Sequence, residues 1–292
     1  MYFNLKNKNP NQYGTITTPE KTYQWYDFLC EYYNVTPEQA LQLGTRSSGR
    51  KPNLPGSKTC KPVKDMTFED IWTLQSRFTP EDIFQFYLDQ GAWSSFRQTV
   101  RHLELQEWHK TVLRAMISRS NIHFCEYGCG IAPYSTTILL TCPKEYNIDI
   151  TISDVENCEH FLFGQWKLKK IIKDRGLKNV KLHVKPVGIR NLPKFDKPID
   201  SLIVFEVLEH VLSPVETLNN IIQQMSPEAL LLENFIKHER DDDDDLGPDL
   251  KSAADEREEF YKTVEDNFLL LSNNPVFADP DGTRIWRKLV KE

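Results

Sequence analysis

Long apolar runs are missing from this chain: no stretch approaches the roughly 20 residues that a helix needs to cross a bilayer. The opening MYFNLKNKNPNQYG lacks the order of a secretory signal, in which basic residues precede an apolar run and a small-residue cleavage site. Both absences set the expectation of a cytoplasmic protein without a membrane span. Cysteine is sparse and unpatterned. Cys30, Cys60, Cys125, Cys129, Cys142 and Cys158 are scattered, and no pair has the Cys-x-x-Cys spacing that zinc or iron–sulfur ligation favours. They read as reduced thiols. No internal repeat is present, so a solenoid or propeller is excluded.

A surplus of positive charge is absent too. Lys and Arg number 36 against 42 Asp and Glu, a formal charge of −6. Five of the negative charges lie in the run Asp241 to Asp245, and the rest of the chain comes to about −1. The whole-chain charge therefore does not advertise a nucleic-acid binder. One segment runs the other way: Arg46, Arg50, Lys51, Lys58, Lys61 and Lys64 occur with no acid between them. Its Gly, Pro and Ser content marks a loop, either a solvated linker or a flap that grips an anionic substrate. The aspartate run reads as a solvated block, with a lid or a cation-attracting loop as the sharper reading.

What is present is enough apolar material for a large core, 39% of 292 residues. Residues 1 to about 91 read as a helical, irregular extension. Thr36-Pro37-Glu38 and Thr79-Pro80-Glu81 have the form of helix starts, with Pro in the first turn. Trp93, Phe96, Val100 and Leu103, then Trp108, Val112 and Met116, recur at helical spacing. From there the pattern alternates. Strands are expected at 122–127, 148–153, 180–186, 200–206 and 229–235, with helices at 157–174 and 214–225 between them. Ser213-Pro214-Val215-Glu216 predicts a capped helix start. After a helix at 250–266, two further strands are expected at 267–271 and 283–290. Strands alternating with helices argue for a parallel sheet covered on both faces.

In such a sheet ligands bind at the carboxyl ends of the strands, near the point where the strand order reverses. The first strand ends in Glu126 and the turn Gly128-Cys129-Gly130. Glycine suits a backbone that must turn tightly or approach a ligand closely. The second strand ends in Asp154, an acid able to accept hydrogen bonds from both hydroxyls of a ribose. The third runs into Val187-Gly188, small enough to flank an adenine. The fourth ends in Phe205-Glu206-Val207-Leu208-Glu209-His210.

With FCEYGCG, ISDVEN, DSLIVFEVLEHV, SPVETL and the closing pair FLLLSNN and GTRIWRKLV in this order, residues 92–292 resemble the class I S-adenosylmethionine-dependent methyltransferases. The resemblance implies an α/β fold: a doubly wound, mostly parallel seven-stranded Rossmann-like sheet. It also implies cofactor binding by Glu126, Gly128, Cys129, Gly130, Val187, Gly188 and Glu206, with ribose binding by Asp154. Arg97 and Arg101, on the helix before the first strand, become candidates for the cofactor carboxylate. A nicotinamide site is disfavoured because Pro133 stands where Gly-x-Gly-x-x-Gly has its third glycine.

The Glu206-x-x-Glu209-His210 cluster resembles the signature of ubiquinone-type O-methyltransferases. It also resembles the metal set of small-RNA 2′-O-methyltransferases, which would make Glu206, Glu209, His210 and His238 ligands for Mg²⁺ or Mn²⁺. Without a metal, His210 with Glu209 offers a general base for a hydroxyl acceptor. The expectation is methyl transfer to a small-molecule or carrier-linked acceptor at oxygen. The rivals are a metal-assisted RNA ribose methyltransferase and a non-catalytic binding protein with the same fold.

Overall fold

Strand β3 (Ile122–Tyr127) is buried at all six positions, as a central parallel strand should be. Around it the computed structural model builds one seven-stranded sheet. Strands β4 (Ile148–Val155) and β5 (Val180–Val187) lie to one side, in parallel. On the other side come β6 (Ile199–Val204) and β7 (Met225–Glu233), also parallel, then β9 (Arg284–Lys288) and β8 (Phe268–Asn273), both antiparallel. The order is β5-β4-β3-β6-β7-β9-β8. The chain winds outward from β3 to one edge, returns to β6 and winds to the other, and closes with an antiparallel pair. This doubly wound order is that of the methyltransferase Rossmann-like fold.

The structure describes residues 16–18, 21–44, 79–101, 113, 117, 120–188, 191–235, 250–273 and 283–290. Two compact units are present. The first comprises Met1–Leu113, Gly130–Lys144 and Glu156–Lys178; the second comprises Arg114–Cys129, Glu145–Val155 and Asn179–Glu292.

The first unit is helical. A short pair of strands, β1 (Ile16–Thr17) and β2 (Thr22–Tyr23), leads into α1 (Asp27–Tyr33) and α2 (Pro37–Gly44). The long helix α3 (Pro80–Arg101) follows, and with it belong α4 (Pro133–Thr141) and α5 (Glu159–Arg175). Both threonine–proline starts are confirmed at Pro37 and Pro80. Within α3 the spaced Trp93, Phe96 and Val100 are all buried, while Leu103, Trp108, Val112 and Met116 lie outside the described residues. Gly91 breaks the helical backbone of α3 (φ 56°, ψ −153°). Ser94 Oγ donates to the Gly91 carbonyl at 2.8 Å, so at 3.0 Å it accepts from His160 Nδ1–H. That proton on Nδ1 leaves Nε2 as the acceptor 3.4 Å from Cys158 Sγ. A hydroxyl, an imidazole and a thiol thus fasten α3 to the start of α5.

The second unit holds the sheet with α6 (Pro214–Gln223), α7 (Lys251–Asp255) and α8 (Arg257–Asn267). Ser213 caps α6 as expected, accepting from the Glu216 N–H at 3.4 Å. The carboxylate at that cap is Glu256's, however. It accepts from Ser213 Oγ at 3.2 Å and from the Val215 N–H at 3.1 Å. Tertiary packing supplies here what a local capping box was expected to supply. Strand β7 begins at Met225, four residues before its expected start, because a bulge opposite Ile199 and Ser201 absorbs Pro227 and a left-handed Glu228.

Candidate functional site

Five parallel strands deliver their carboxyl ends to one edge of the second unit, and the order reverses between β3 and β6. Glu126 stands in the β3 ladder opposite Ile152 on one side and Ile203 on the other, and is buried. The chain then turns sharply. Gly128, Gly130 and Ala132 all have left-handed φ, at 62°, 51° and 54°. Two donors of the turn are assigned: Cys129 N–H reaches the Ser153 carbonyl at 3.0 Å, and Ile131 N–H reaches Gln98 Oε1 at 3.1 Å.

The glycines are required by their neighbours. A Cβ on Gly128 would stand 2.2 Å from Val207 Cγ2, and one on Gly130 would stand 2.2 Å from Gln98 Oε1. Gly164 of α5 has a similar role in the first unit, where a Cβ would press on the Gly130 and Ile131 backbone at 3.0–3.2 Å. Neither Gln98 nor Gly164 was expected from the sequence. Gln98 is one residue from Arg97, and only helical phase separates them. Arg97 lies over the Trp93 ring at 5.3 Å, one turn back, while Gln98 reaches the glycine turn. Arg101 closes α3, and its side chain lies outside the described residues.

Asp154, the next-to-last residue of β4, is 8% exposed; its Oδ1 accepts from the Val155 N–H at 2.6 Å. The β4–β5 ladder sets Asp154 opposite Pro186 and Val155 opposite Val187. Val187 and the following Gly188 therefore come one and two residues after the residue opposite the acid. Cys129 is buried and Cys125 is fully so, and none of the cysteines among the described residues is in a disulfide. Burial pushes the Cys125 thiol well up, with the Glu126 charge adding to it. The Tyr127 phenol is pushed up by burial and by Asp154. Neither group is a nucleophile near neutral pH.

Beyond β6 the backbone takes a left-handed step at Glu206 (φ 55°) and a short 3-10 turn over Leu208–His210. Glu206 Oε1 accepts from Asn234 Nδ2 at 2.7 Å, and the Glu206 N–H donates to Asn234 Oδ1 at 2.9 Å. Glu209 is buried and its carbonyl accepts from the Leu250 N–H. His210 is half-buried, and its N–H closes the turn on the Val207 carbonyl. Among the described residues, Glu206, Glu209 and His210 do not form a triad with all ligand atoms within 4.8 Å. The fourth ligand expected, His238, lies outside the described residues, as do the Asp241–Asp245 run and the basic 46–64 segment.

The chain matches no protein-family model and no curated protein. Solved structures do resemble it. The [4+2]-cyclase SpnF is 14% identical, over 68% of this chain and 83% of its own, with a TM-score of 0.43. A putative O-methyltransferase from Klebsiella pneumoniae is 10% identical, over 65% and 89%, at 0.42. The O-methyltransferase TomG from Streptomyces achromogenes, solved with S-adenosylmethionine, is 13% identical, over 63% and 80%, at 0.44. At these identities the functional reading rests on this chain's own residues. No helix among the described residues is long and apolar enough to cross a membrane.

Proposed function

We propose that this chain is an S-adenosylmethionine-dependent methyltransferase acting on a small-molecule or carrier-linked acceptor at oxygen. One observation carries the reading: the acids of β3 and β4, the left-handed glycine turn and the Glu206–His210 loop meet at the carboxyl ends of parallel strands where their order reverses. The residues fit the cofactor. Asp154 offers a carboxylate at the mouth of β4 for the ribose hydroxyls, and the glycine turn follows β3 beside it. Glu126 stands behind the turn with Cys129, and Val187 and Gly188 leave room for an adenine. When bound, the cofactor supplies an activated methyl group, so the chain's task is alignment and exclusion of water.

His210 is the group we assign to take the acceptor's proton, with Glu209 beside it in the same turn. Imidazole is the side chain most readily poised near neutral pH. Residues 1–91 serve in this reading as a cap over the acceptor, ahead of a catalytic region at 92–292. Fold alone does not fix an acceptor. The test is transfer of a labelled methyl group from S-adenosylmethionine to a panel of hydroxylated metabolites and to short RNA, at low and high salt. Transfer to a metabolite that is insensitive to salt supports the proposal. Transfer to RNA that collapses with salt, as phosphate contacts dictate, replaces the acceptor class. No transfer by protein that binds the cofactor makes the chain a binding protein.

A further inference from the structure

Glu206 is held where a residue with a Cβ resists being. Its left-handed φ of 55° is disfavoured relative to the right-handed region, so its surroundings must impose it. The imposing group is Asn234, the buried first residue after β7. One carboxamide holds Glu206 at two points: its oxygen takes the Glu206 N–H at 2.9 Å, and its nitrogen donates to Glu206 Oε1 at 2.7 Å.

Asn234 is itself set between two fixed residues. The fully buried Glu233 accepts from Trp286 Nε1 at 2.8 Å and from the Phe235 N–H at 2.8 Å, and forms an ion pair with Arg284, whose Nε lies 2.9 Å away. On the other side of the clasp, the residue after Glu206 is Val207, whose side chain fills the space over Gly128. A continuous series of contacts therefore runs inside one compact unit. It leads from β9 through Glu233 to Asn234, then through Glu206 and Val207 to the glycine turn.

We infer that Asn234 is a positioning residue, setting the β6 loop that carries Glu209 and His210 in register with the glycine turn. Glu206 acts there as the partner of a clasp and not through its charge. The geometry of the clasp stands by itself; its consequence for catalysis rests on the methyltransferase reading. Chemistry separates the two roles of Glu206. Glu206→Gln keeps an oxygen for the Asn234 nitrogen and so keeps the clasp. Asn234→Asp sets a carboxylate against the Glu206 carboxylate at hydrogen-bond distance, where both cannot remain ionised. Combining the two substitutions restores the clasp with its polarity reversed: the new amide donates, and the new carboxylate accepts both from it and from the backbone N–H of residue 206.

The experiment measures hydrogen exchange of the amide at position 206 and calorimetric affinity for S-adenosylmethionine, on the full chain at pH 7.5. Circular dichroism serves as the check on folding. The expected pattern for closely coupled residues is exchange about 10-fold faster in Asn234→Asp, near-native exchange in Glu206→Gln, and recovery to within about 3-fold in the double variant. Affinity should follow the same order. Loss in Glu206→Gln equal to that in Asn234→Asp, or no recovery in the double variant, overturns the inference and returns Glu206 to a charged role. Failure of the wild-type chain to bind cofactor, with the exchange pattern intact, removes the methyltransferase reading and leaves the clasp standing.

Discussion

Replacing Gly128 by Ala perturbs two things at once, and a second glycine separates them. Both Gly128 and Gly176 sit at φ 62°, so an added Cβ meets the same backbone penalty of about 1–2 kcal/mol. Gly176 ends α5 with its N–H on the Lys173 carbonyl, and an added Cβ there finds no atom within 4 Å. At Gly128 the new Cβ lands 2.2 and 2.6 Å from the two methyl groups of Val207, contacts real atoms do not make. Forcing a methyl group into such a place costs about 1–3 kcal/mol more. Gly176→Ala should therefore destabilise by about 1–2 kcal/mol and Gly128→Ala by about 2–5 kcal/mol. Val207→Ala, added to Gly128→Ala, should recover most of the excess, because it removes the methyl groups in conflict. Urea unfolding followed by tryptophan fluorescence, at constant slope, reads all three. Equal losses in the two glycine variants, or no recovery on truncating Val207, would refute the claim that the β6 loop is packed directly on the turn.

Two further outcomes follow from single side chains. Gln98 serves the turn through its oxygen, so Gln98→Glu should hold the melting temperature, while Gln98→Leu leaves the Ile131 N–H without its acceptor and costs about 1–3 kcal/mol; equal melting of the two variants contradicts this. His123 donates from Nδ1 to the Pro198 carbonyl at 2.9 Å and meets the Thr151 hydroxyl through Nε2 at 2.7 Å. Burial holds its pKa below 6.5, against the opposing pull of Pro198, Asp149 and Asp200 and with that of His183. The unfolded chain then binds the extra proton first, so this residue's stabilisation is complete above 6.5 and is lost as pH falls through the window below it. Thermal unfolding at pH 7.5 and 5.5 should show a smaller loss on acidification in His123→Gln than in the wild type, and an equal or larger loss would reverse the assignment.

The sheet was legible because buried parallel strands are short apolar runs, each closed by an acid, a glycine or a turn. The alternation from Ile122 to Phe235 and the antiparallel pair after it were read to within a few residues. Two errors share a cause in tertiary structure. The strand was expected from 229, and only the register shows the bulge that lets β7 begin at Met225. The acid at the α6 cap comes from Glu256, forty residues downstream of any local signal. The acids and glycines proposed for the site stand out in the sequence by type and position. Gln98 and Asn234 do not, since an amide carries no signature until the fold shows what it holds. The resemblance offered Arg97 for a cofactor carboxylate, and the next residue, Gln98, is the one that bonds to the turn.

The central claim is that the edge formed by β3, β4 and β6 binds an adenosine-containing methyl donor through Asp154. Calorimetric titration of the full chain with S-adenosylmethionine, with EDTA present and Asp154→Ala alongside, tests it most directly. The account predicts micromolar binding by the wild type. The variant, deprived of charged hydrogen bonds worth about 1.5–3 kcal/mol each, should bind at least about 10-fold more weakly with its fold intact. A folded wild-type chain that takes up no cofactor, or equal affinity in the variant, would contradict it.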